Sequence, residues 1–417
     1  VTTLAGSDRA ARRLRVVDDA QTRVALLERP LTSYHLVIGS AALLLSVGLV
    51  MVLSSSSVSS FQSSGSPYTL FERQATWVVL GLPVLFAVSR MAPATLRRFG
   101  YPLLLVSAAG LVLVLVPGVG SSANGATRWI AAGPVTVQPS EIAKLGLALW
   151  GADLLVRKRR LLHQWRHLLI PLLPVGGLLA AMVMAEPDMG TTVVVVFVLM
   201  ALLWVVGAPG RLFLGVGAGV AALGAFIAVV SPYRLARITS FAHPFASAQG
   251  SGYQAVQGLY ALASGGWWGV GLGNSRAKWD YLPNAHTDFV FAIIGEELGL
   301  VGTLVVLTLF GILGYAGIRI AQRSRDPFAR LVAGAITAWL VGQALVNVGA
   351  VVGLLPITGI PLPFISFGGS ALLPSLVAVG VLGACARHEP GAQQALAVRR
   401  RARSRRRELV LAWRPWS

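Results

Sequence analysis

The sequence predicts an all-α polytopic membrane protein of about ten transmembrane helices with one long extracytoplasmic loop, and three observations carry that reading. Of 417 residues, 55% are hydrophobic and only 12% are charged, with a mean hydropathy of +0.70. A water-soluble domain carries roughly 25% charged residues. Apolar runs of about twenty residues, enough to span the hydrocarbon as helix, recur along the chain. The basic residues, which give a net charge of +19, are sorted by loop rather than gathered in one patch. That sorting is the mark of membrane orientation, so the charge argues for membrane lipids as neighbours and not for nucleic acid.

Each element follows in order. An arm (1–32) carries Arg9, Arg12, Arg13, Arg15, Arg23 and Arg29. The run after it, 33–54, is long enough to span and reads as a first membrane helix rather than a cleavable leader. The stretch SSSSVSSFQSSGS in the following segment reads as a flexible loop. Spans follow at 74–91 and 99–117, then a medium loop at 118–138. The span at 139–156 opens with Gln138-Pro139-Ser140-Glu141, a helix start with proline in the first position and an acid in the third. Spans at 168–185 and 190–207 are joined by EPDMG, which reads as a tight turn, and a further span covers 211–230.

Residues 231–286 form the long loop. Tyr253, Tyr260, Trp267 and Trp268 suggest an ordered loop with short helices at the bilayer surface, where aromatic rings settle. The last spans are 287–318, 331–352 and 368–386. Between the final two, LLPITGIPLPFISFGGS holds three prolines in eight residues and cannot be one helix. Irregular backbone at that depth is tolerated where protein buries it or it lines a cavity. The tail, 387–417, includes RRRAR and RRR.

An even number of spans puts both termini on one side. Arg90, Arg97, Arg98, Arg157, Lys158, Arg159, Arg160, Arg166, Arg211, Arg319, Arg323, Arg325, Arg330 and both tails fall there, which makes that side cytoplasmic. The outer side keeps Arg73, Arg128, Lys144, Arg234, Arg237, Arg276 and Lys278. Its acids are Glu72, Glu141, Glu186, Asp188, Asp280 and Asp288. Mixed charges on apolar walls are where chemistry is expected. Cys385 is the single cysteine, and there is no CxxC, HExxH, P-loop or dinucleotide-binding motif. Intrachain disulfides are excluded, and ATP hydrolysis and nicotinamide chemistry have no support.

Asp288 is expected in the first turn of a helix capped by His286 or Thr287. There it either complements the helix dipole or serves as a general base at the mouth of an outward cleft. Glu296 and Glu297 lie about 12–14 Å further along and on different faces, so both are expected to be structural. Glu141 and Lys144, three apart, can pair; Lys144 with Arg128 can equally hold an anionic group, and arginine suits a phosphate.

These stretches together carry a resemblance. NGATRWI, QPSEIAKL, EPDMGT, GSGYQAVQGL, SGGWWGVGLGNSRAKWDYLPNAHTDFVFAIIGEELGL and GLLPITGIPLPFISFGGS occur in order between about residues 35 and 386. The chain resembles the SEDS family (shape, elongation, division and sporulation), and its division branch, FtsW, more than its elongation branch, RodA. The resemblance implies ten membrane helices and polymerisation of lipid II into peptidoglycan strands at the outer face of the bacterial cytoplasmic membrane. It implies partnership with a class B penicillin-binding protein and other divisome proteins at the septum. The family's essential carboxylate falls on Asp288. A second acidic position falls on Asp280, where relatives often carry the longer Glu; they also often carry Glu where this chain has Asn284.

The residues suit that chemistry. Lipid II leaves a pyrophosphate, which needs its charge neutralised more than it needs a proton, so the second carboxylate of a glycosidase is dispensable. One base, Asp288, would suffice. Arg73, Arg128, Lys144, Lys278, Asp280 and His286 are the substrate-binding candidates. A divalent cation held by Asp280 or Asp288 is compatible with this, though no ligand cluster demands one. The competing readings are a lipid II flippase and a non-enzymatic division scaffold.

The topology has a direct check. In a Cys385→Ala background, a single cysteine in the 231–286 loop should react with an impermeant thiol reagent on intact cells, and one near Arg405 should not. External labelling near Arg405 would invert the map.

Overall fold

A computed structural model describes residues 30–397, apart from Asn124, Gly125, Pro134, His163, 231–240, Ala242, His243, Ala248 and Ser251. Residues 1–29 of the arm and 398–417 of the tail, with Arg234 and Arg237, lie outside the described residues. The chain forms helices α1 (Thr32–Ser64), α2 (Thr69–Ser89), α3 (Pro93–Leu115), α4 (Pro139–Arg157), α5 (Trp165–Leu169), α6 (Leu172–Ala185), α7 (Met189–Val206), α8 (Gly210–Val230), α9 (Tyr253–Ser264), α10 (Val290–Arg323), α11 (Pro327–Val351) and α12 (Gly369–Arg387). All but the short α5 and α9 fall on the apolar runs that predict spans. Eight helices among the described residues are long and apolar enough to cross a membrane.

The helix α4 carries Glu141, Lys144 and Asp153, yet it lies in the interior, packed on α3, α7 and α11. From Pro139 to Leu155 only Ile142 is not buried. A helix enclosed on all sides can hold charges only where they are paired. At the Arg-rich end, Asp153 accepts from Arg97 at 2.6 Å and Arg157 at 2.8 Å. The opposite end of the bundle holds Asp288 and the irregular segments.

Three local expectations are corrected. The serine-rich stretch is not a loop, because α1 continues through it to Ser64. Ser55 and Ser56 each donate to the carbonyl four residues back at 2.6 Å, so their hydroxyls are satisfied within the helix. The 118–138 loop is a three-stranded antiparallel sheet, β1 (Gly120–Ala123), β2 (Ala126–Ala132) and β3 (Val135–Val137), with β2 central. Finally, α10 starts at Val290, so Asp288 precedes the first turn rather than occupying it.

The long loop does contain a short helix, α9, which packs on α10. After α9 the chain enters a break in α10. Gly299 has φ 66° and ψ −163°, which ends regular helix there. A continuous helix would bond Leu300 N–H to Glu296 O and Val301 N–H to Glu297 O. Instead, Leu300 and Val301 donate to the carbonyls of Gly266 (2.9 Å) and Trp267 (3.2 Å). The carbonyls of Glu296 and Glu297 accept from Val270 (2.9 Å) and Gly271 (3.1 Å). The loop thus replaces each bond that the break removes, as backbone shielded from water requires.

The two acids secure the same loop. Glu296 accepts from Ser275 Oγ and from the Arg276 (2.9 Å) and Ala277 (3.4 Å) amides. Glu297 accepts from Ser54 Oγ of α1 at 2.6 Å and from the Ser275 amide at 3.4 Å. Both are therefore structural in this fold, although they share one loop rather than facing apart.

A Cβ at Gly299 would lie 2.5 Å from Gly269 N and Trp267 O, in left-handed backbone. Gly299→Ala should lower stability by about 1–3 kcal/mol, seen as a lower thermal midpoint in detergent and faster proteolysis within 265–278. A wild-type midpoint would mean that the break is not formed.

Candidate active site

Residues 281–289 are turns, and their backbone is tied down on several sides. The Asn284 carbonyl accepts from the Thr287 (3.1 Å) and Phe289 (3.3 Å) amides. The carbonyls of His286, Thr287 and Asp288 accept from Phe367 N (3.0 Å), Ser366 Oγ (2.6 Å) and Asn347 Nδ2 (2.8 Å) in turn. Phe289 is buried behind them. Asp288 is left half-buried, its position set by α11 and by the 354–368 segment.

That segment is the facing wall. Asn347 Nδ2 also donates to Ile360 O at 2.8 Å, and Gln343 Nε2 donates to Pro361 O at 2.9 Å. Gln74 of α2 donates to Ser366 O at 3.3 Å and accepts from Gly368 N at 3.2 Å. Gly359 directly precedes the first of these anchors, with φ 71°. A Cβ there would lie 3.6 Å from Asp288 Oδ2 and 4.0 Å from Arg128 Nη1. The acid and the guanidinium therefore face one small space, which a side chain at this position would enter.

Arg128 comes from β2. Its Nη2 donates to Pro187 O at 2.7 Å, and its Nε lies 3.8 Å from Asp188 Oδ2. Both partners belong to the turn between α6 and α7. Asp188 caps α7 by accepting from Thr191 N (3.0 Å) and Thr191 Oγ1 (2.8 Å). Glu186 is 1% exposed, and neither of its carboxyl oxygens has a hydrogen-bond partner. Burial, and secondarily Asp188, push its carboxyl up to about 8 against the pull of Arg128.

Unpaired buried polar atoms gather here: Arg128 Nε, Ser140 Oγ, Glu141 Oε2, both Glu186 oxygens, Asn347 Oδ1 and Thr358 Oγ1. Interiors leave few such atoms, and functional sites are where they concentrate. Among the described residues, no group of three or more His, Cys, Asp or Glu is arranged to hold a metal ion.

Of the residues singled out from sequence, Asp288 and Arg128 are brought together. Lys144 is not open to a ligand as expected. It is 0% exposed, its Nζ donates to Glu141 Oε1 (2.7 Å) and Gln343 Oε1 (2.8 Å), and it lies 5.0 Å from the Trp339 ring centroid. Lys278 is 8% exposed; it donates to Gly273 O and lies 4.0 Å from Glu297, so it braces the spliced loop. The His286 ring packs edge-on against Phe367 at 5.8 Å, and burial lowers its proton affinity, which suits a packing group better than a phosphate-binding cation. Asp280 and Arg73 are exposed, Asp280 in left-handed backbone with φ 63°.

Sequence reasoning missed Gln343, Asn347 and Gly359, and counted Glu186 and Asp188 among the outer acids without giving either a role. A signal existed for the amides: two polar residues one helical turn apart inside an apolar span.

Removing one member of a buried ion pair strands the other. Lys144→Ala should cost about 3–5 kcal/mol of stability, measured as a fall in thermal midpoint in detergent. Glu141→Gln with Lys144→Met should recover most of that loss. A wild-type midpoint for Lys144→Ala would show that the pair is dispensable to the fold.

Known proteins resemble this chain in sequence and fold. The profile of the Cell cycle protein family FtsW/RodA/SpoVE matches residues 34–390. The chain is 47% identical over 372 residues to the probable peptidoglycan glycosyltransferase FtsW of Mycobacterium tuberculosis, covering 89% of this chain and 71% of that one. It is 40% identical over 342 residues to stage V sporulation protein E of Bacillus subtilis, covering 82% and 93%. Among solved structures, the rod shape determining protein RodA of Thermus thermophilus aligns with a TM-score of 0.63 at 28% identity, covering 85% of this chain and 96% of that one. A chain of a peptidoglycan synthase complex that coordinates polymerization and crosslinking aligns with a TM-score of 0.69 at 28% identity, covering 84% and 96%. The matched stretch takes in the whole site from Gln74 to Gly368, and the chain belongs to the FtsW/RodA/SpoVE family of cell cycle proteins.

Proposed function

We propose that this protein is a peptidoglycan glycosyltransferase that polymerises lipid II at the outer face of the cytoplasmic membrane, for septal wall synthesis, with Asp288 as general base. The observation that carries the reading is the shared space at Gly359, faced by Asp288 Oδ2 and Arg128 Nη1. The relatives named FtsW support the reaction class. The likeness to a peptidoglycan synthase chain supports work alongside a class B penicillin-binding protein that crosslinks the strands.

The geometry divides the labour. The acceptor's sugar hydroxyl loses its proton to Asp288 as its oxygen attacks the anomeric carbon of the donor. The bond from that carbon to the diphosphate breaks, and the electron pair leaves with the diphosphate. Arg128 faces the same space and offsets the negative charge that develops there. Lys144 acts from beneath, through Gln343 and the Pro361 carbonyl, by keeping the facing wall in place. Holding both groups in advance of reaction is what makes a single base effective.

Asp288→Asn retains the backbone hydrogen bond to Asn347 and removes the base. Polymerisation of labelled lipid II by the purified variant should fall at least ~10²-fold, with the thermal midpoint and penicillin-binding partner association retained. Normal polymerisation combined with loss of lipid II movement in vesicles would replace this reading with the flippase.

A further inference from the structure

Glu186 is a buried ionisable group that the proposed reaction leaves unused. It follows the last residue of α6, and neither of its oxygens has a hydrogen-bond partner. Asp188, two residues on, is occupied in capping α7 and in accepting a hydrogen bond from Gln138 Nε2 at 3.4 Å. Arg128 is the cation beside both acids, and its Nε also lacks a hydrogen-bond partner.

The other charged groups around this turn are already committed. On α4, Glu141 and Lys144 are paired at 2.7 Å. The 354–368 segment packs on the turn through Gly190, where a Cβ would lie 2.9 Å from Thr358 O. One residue further on, at Gly359, are Asp288 and Arg128 Nη1. Ionising Glu186 would therefore place a third carboxylate beside one guanidinium whose remaining face is turned toward the reaction space. Its carboxyl, pushed up to about 8, keeps its proton at neutral pH.

We propose that Glu186 is a positioning residue for Arg128: neutral, it leaves the guanidinium free for the substrate's diphosphate, and ionised, it draws the guanidinium to itself. The inference rests on the reading of Arg128 as the diphosphate contact. Bound anion and ionised Glu186 then compete, and each weakens the other by the same factor. The diphosphate diester of lipid II keeps its charge across this range, so a rise that Glu186→Gln removes belongs to the protein and not to the ligand.

The test is equilibrium binding of lipid II to the purified full chain bearing Asp288→Asn, where turnover is removed, between pH 7 and 9.5. The dissociation constant should rise about fivefold or more over this range. Glu186→Gln, with the shape and neutrality of the protonated acid, should flatten the profile. Arg128→Gln should bind weakly throughout and show no rise. In the active protein, the alkaline loss should fall on KM and spare kcat, and Glu186→Gln should remove it. A profile as steep in Glu186→Gln as in its parent overturns the proposal. So does weakened binding at pH 7 by Glu186→Gln with an unchanged thermal midpoint, since an ionised carboxylate would then be required. Tight binding by Arg128→Gln overturns the diphosphate contact and this inference together. An active Asp288→Asn enzyme overturns only the general base.

Discussion

The carboxamide of Asn347 joins the two sides of the site. Its Nδ2 donates to the carbonyls of Asp288 and Ile360, both at 2.8 Å. Away from water an unmatched backbone carbonyl is costly, so this bridge sets where irregular chain can stand. One turn below, Gln343 repeats the arrangement. It donates to Pro361 O and accepts from Lys144 Nζ and, at 3.0 Å, from Trp339 Nε1. The edge of α11 facing the site is thus a ladder of Trp339, Gln343 and Asn347. The backbone of Asp288 hangs from its top, and the buried Lys144–Glu141 pair meets its middle.

The same constraint accounts for the spliced loop. Breaking α10 at Gly299 leaves two carbonyls and two amides unmatched, and the 266–271 backbone matches all four. Glu296 and Glu297 then collect amides from 275–277 and the Ser54 hydroxyl of α1. Acids at this depth would be unfavourable alone, but the hydrogen bonds they accept offset the loss of water. The loop that leads to Asp288 is thereby fastened at its start by α10 and at its end by α11 and the facing wall. A carboxylate held on both flanks would need little reorganisation in the general-base role proposed for it.

Charge is handled in three ways within one end of the bundle. Lys144 and Glu141 neutralise each other in full burial, and Trp339 adds a π face. Asp188 is consumed in a helix cap. Glu186, with no hydrogen bond to its carboxyl, holds its proton instead. Arg128 alone of this group presents Nη1 toward the space beside Asp288. Cations that look equivalent along the chain therefore differ in setting: Lys144 and Lys278 brace, while Arg128 faces the space beside Asp288.

By itself, the sequence determined the apolar spans, most of the breaks between them and the end of the bundle where charges of both signs gather. Transfer of a side chain into hydrocarbon is a local property, so hydropathy over about twenty residues locates a span without its neighbours. Proline density likewise ruled out helix in 354–368 from local sterics. Asp288 and Arg128 stood out because a charge in a sparsely charged region needs a reason. Only the tertiary structure decided which charges face each other. Ser54 meets Glu297 across 243 positions and Lys144 meets Gln343 across 199, and such partners leave no trace in local pattern. The serine run stayed helical because its hydroxyls found carbonyls four residues back, and Lys144 turned inward because Glu141 and Gln343 were already there. Hydropathy depends on each side chain alone, whereas the direction a charged group takes depends on partners that folding brings to within 3 Å or so of it.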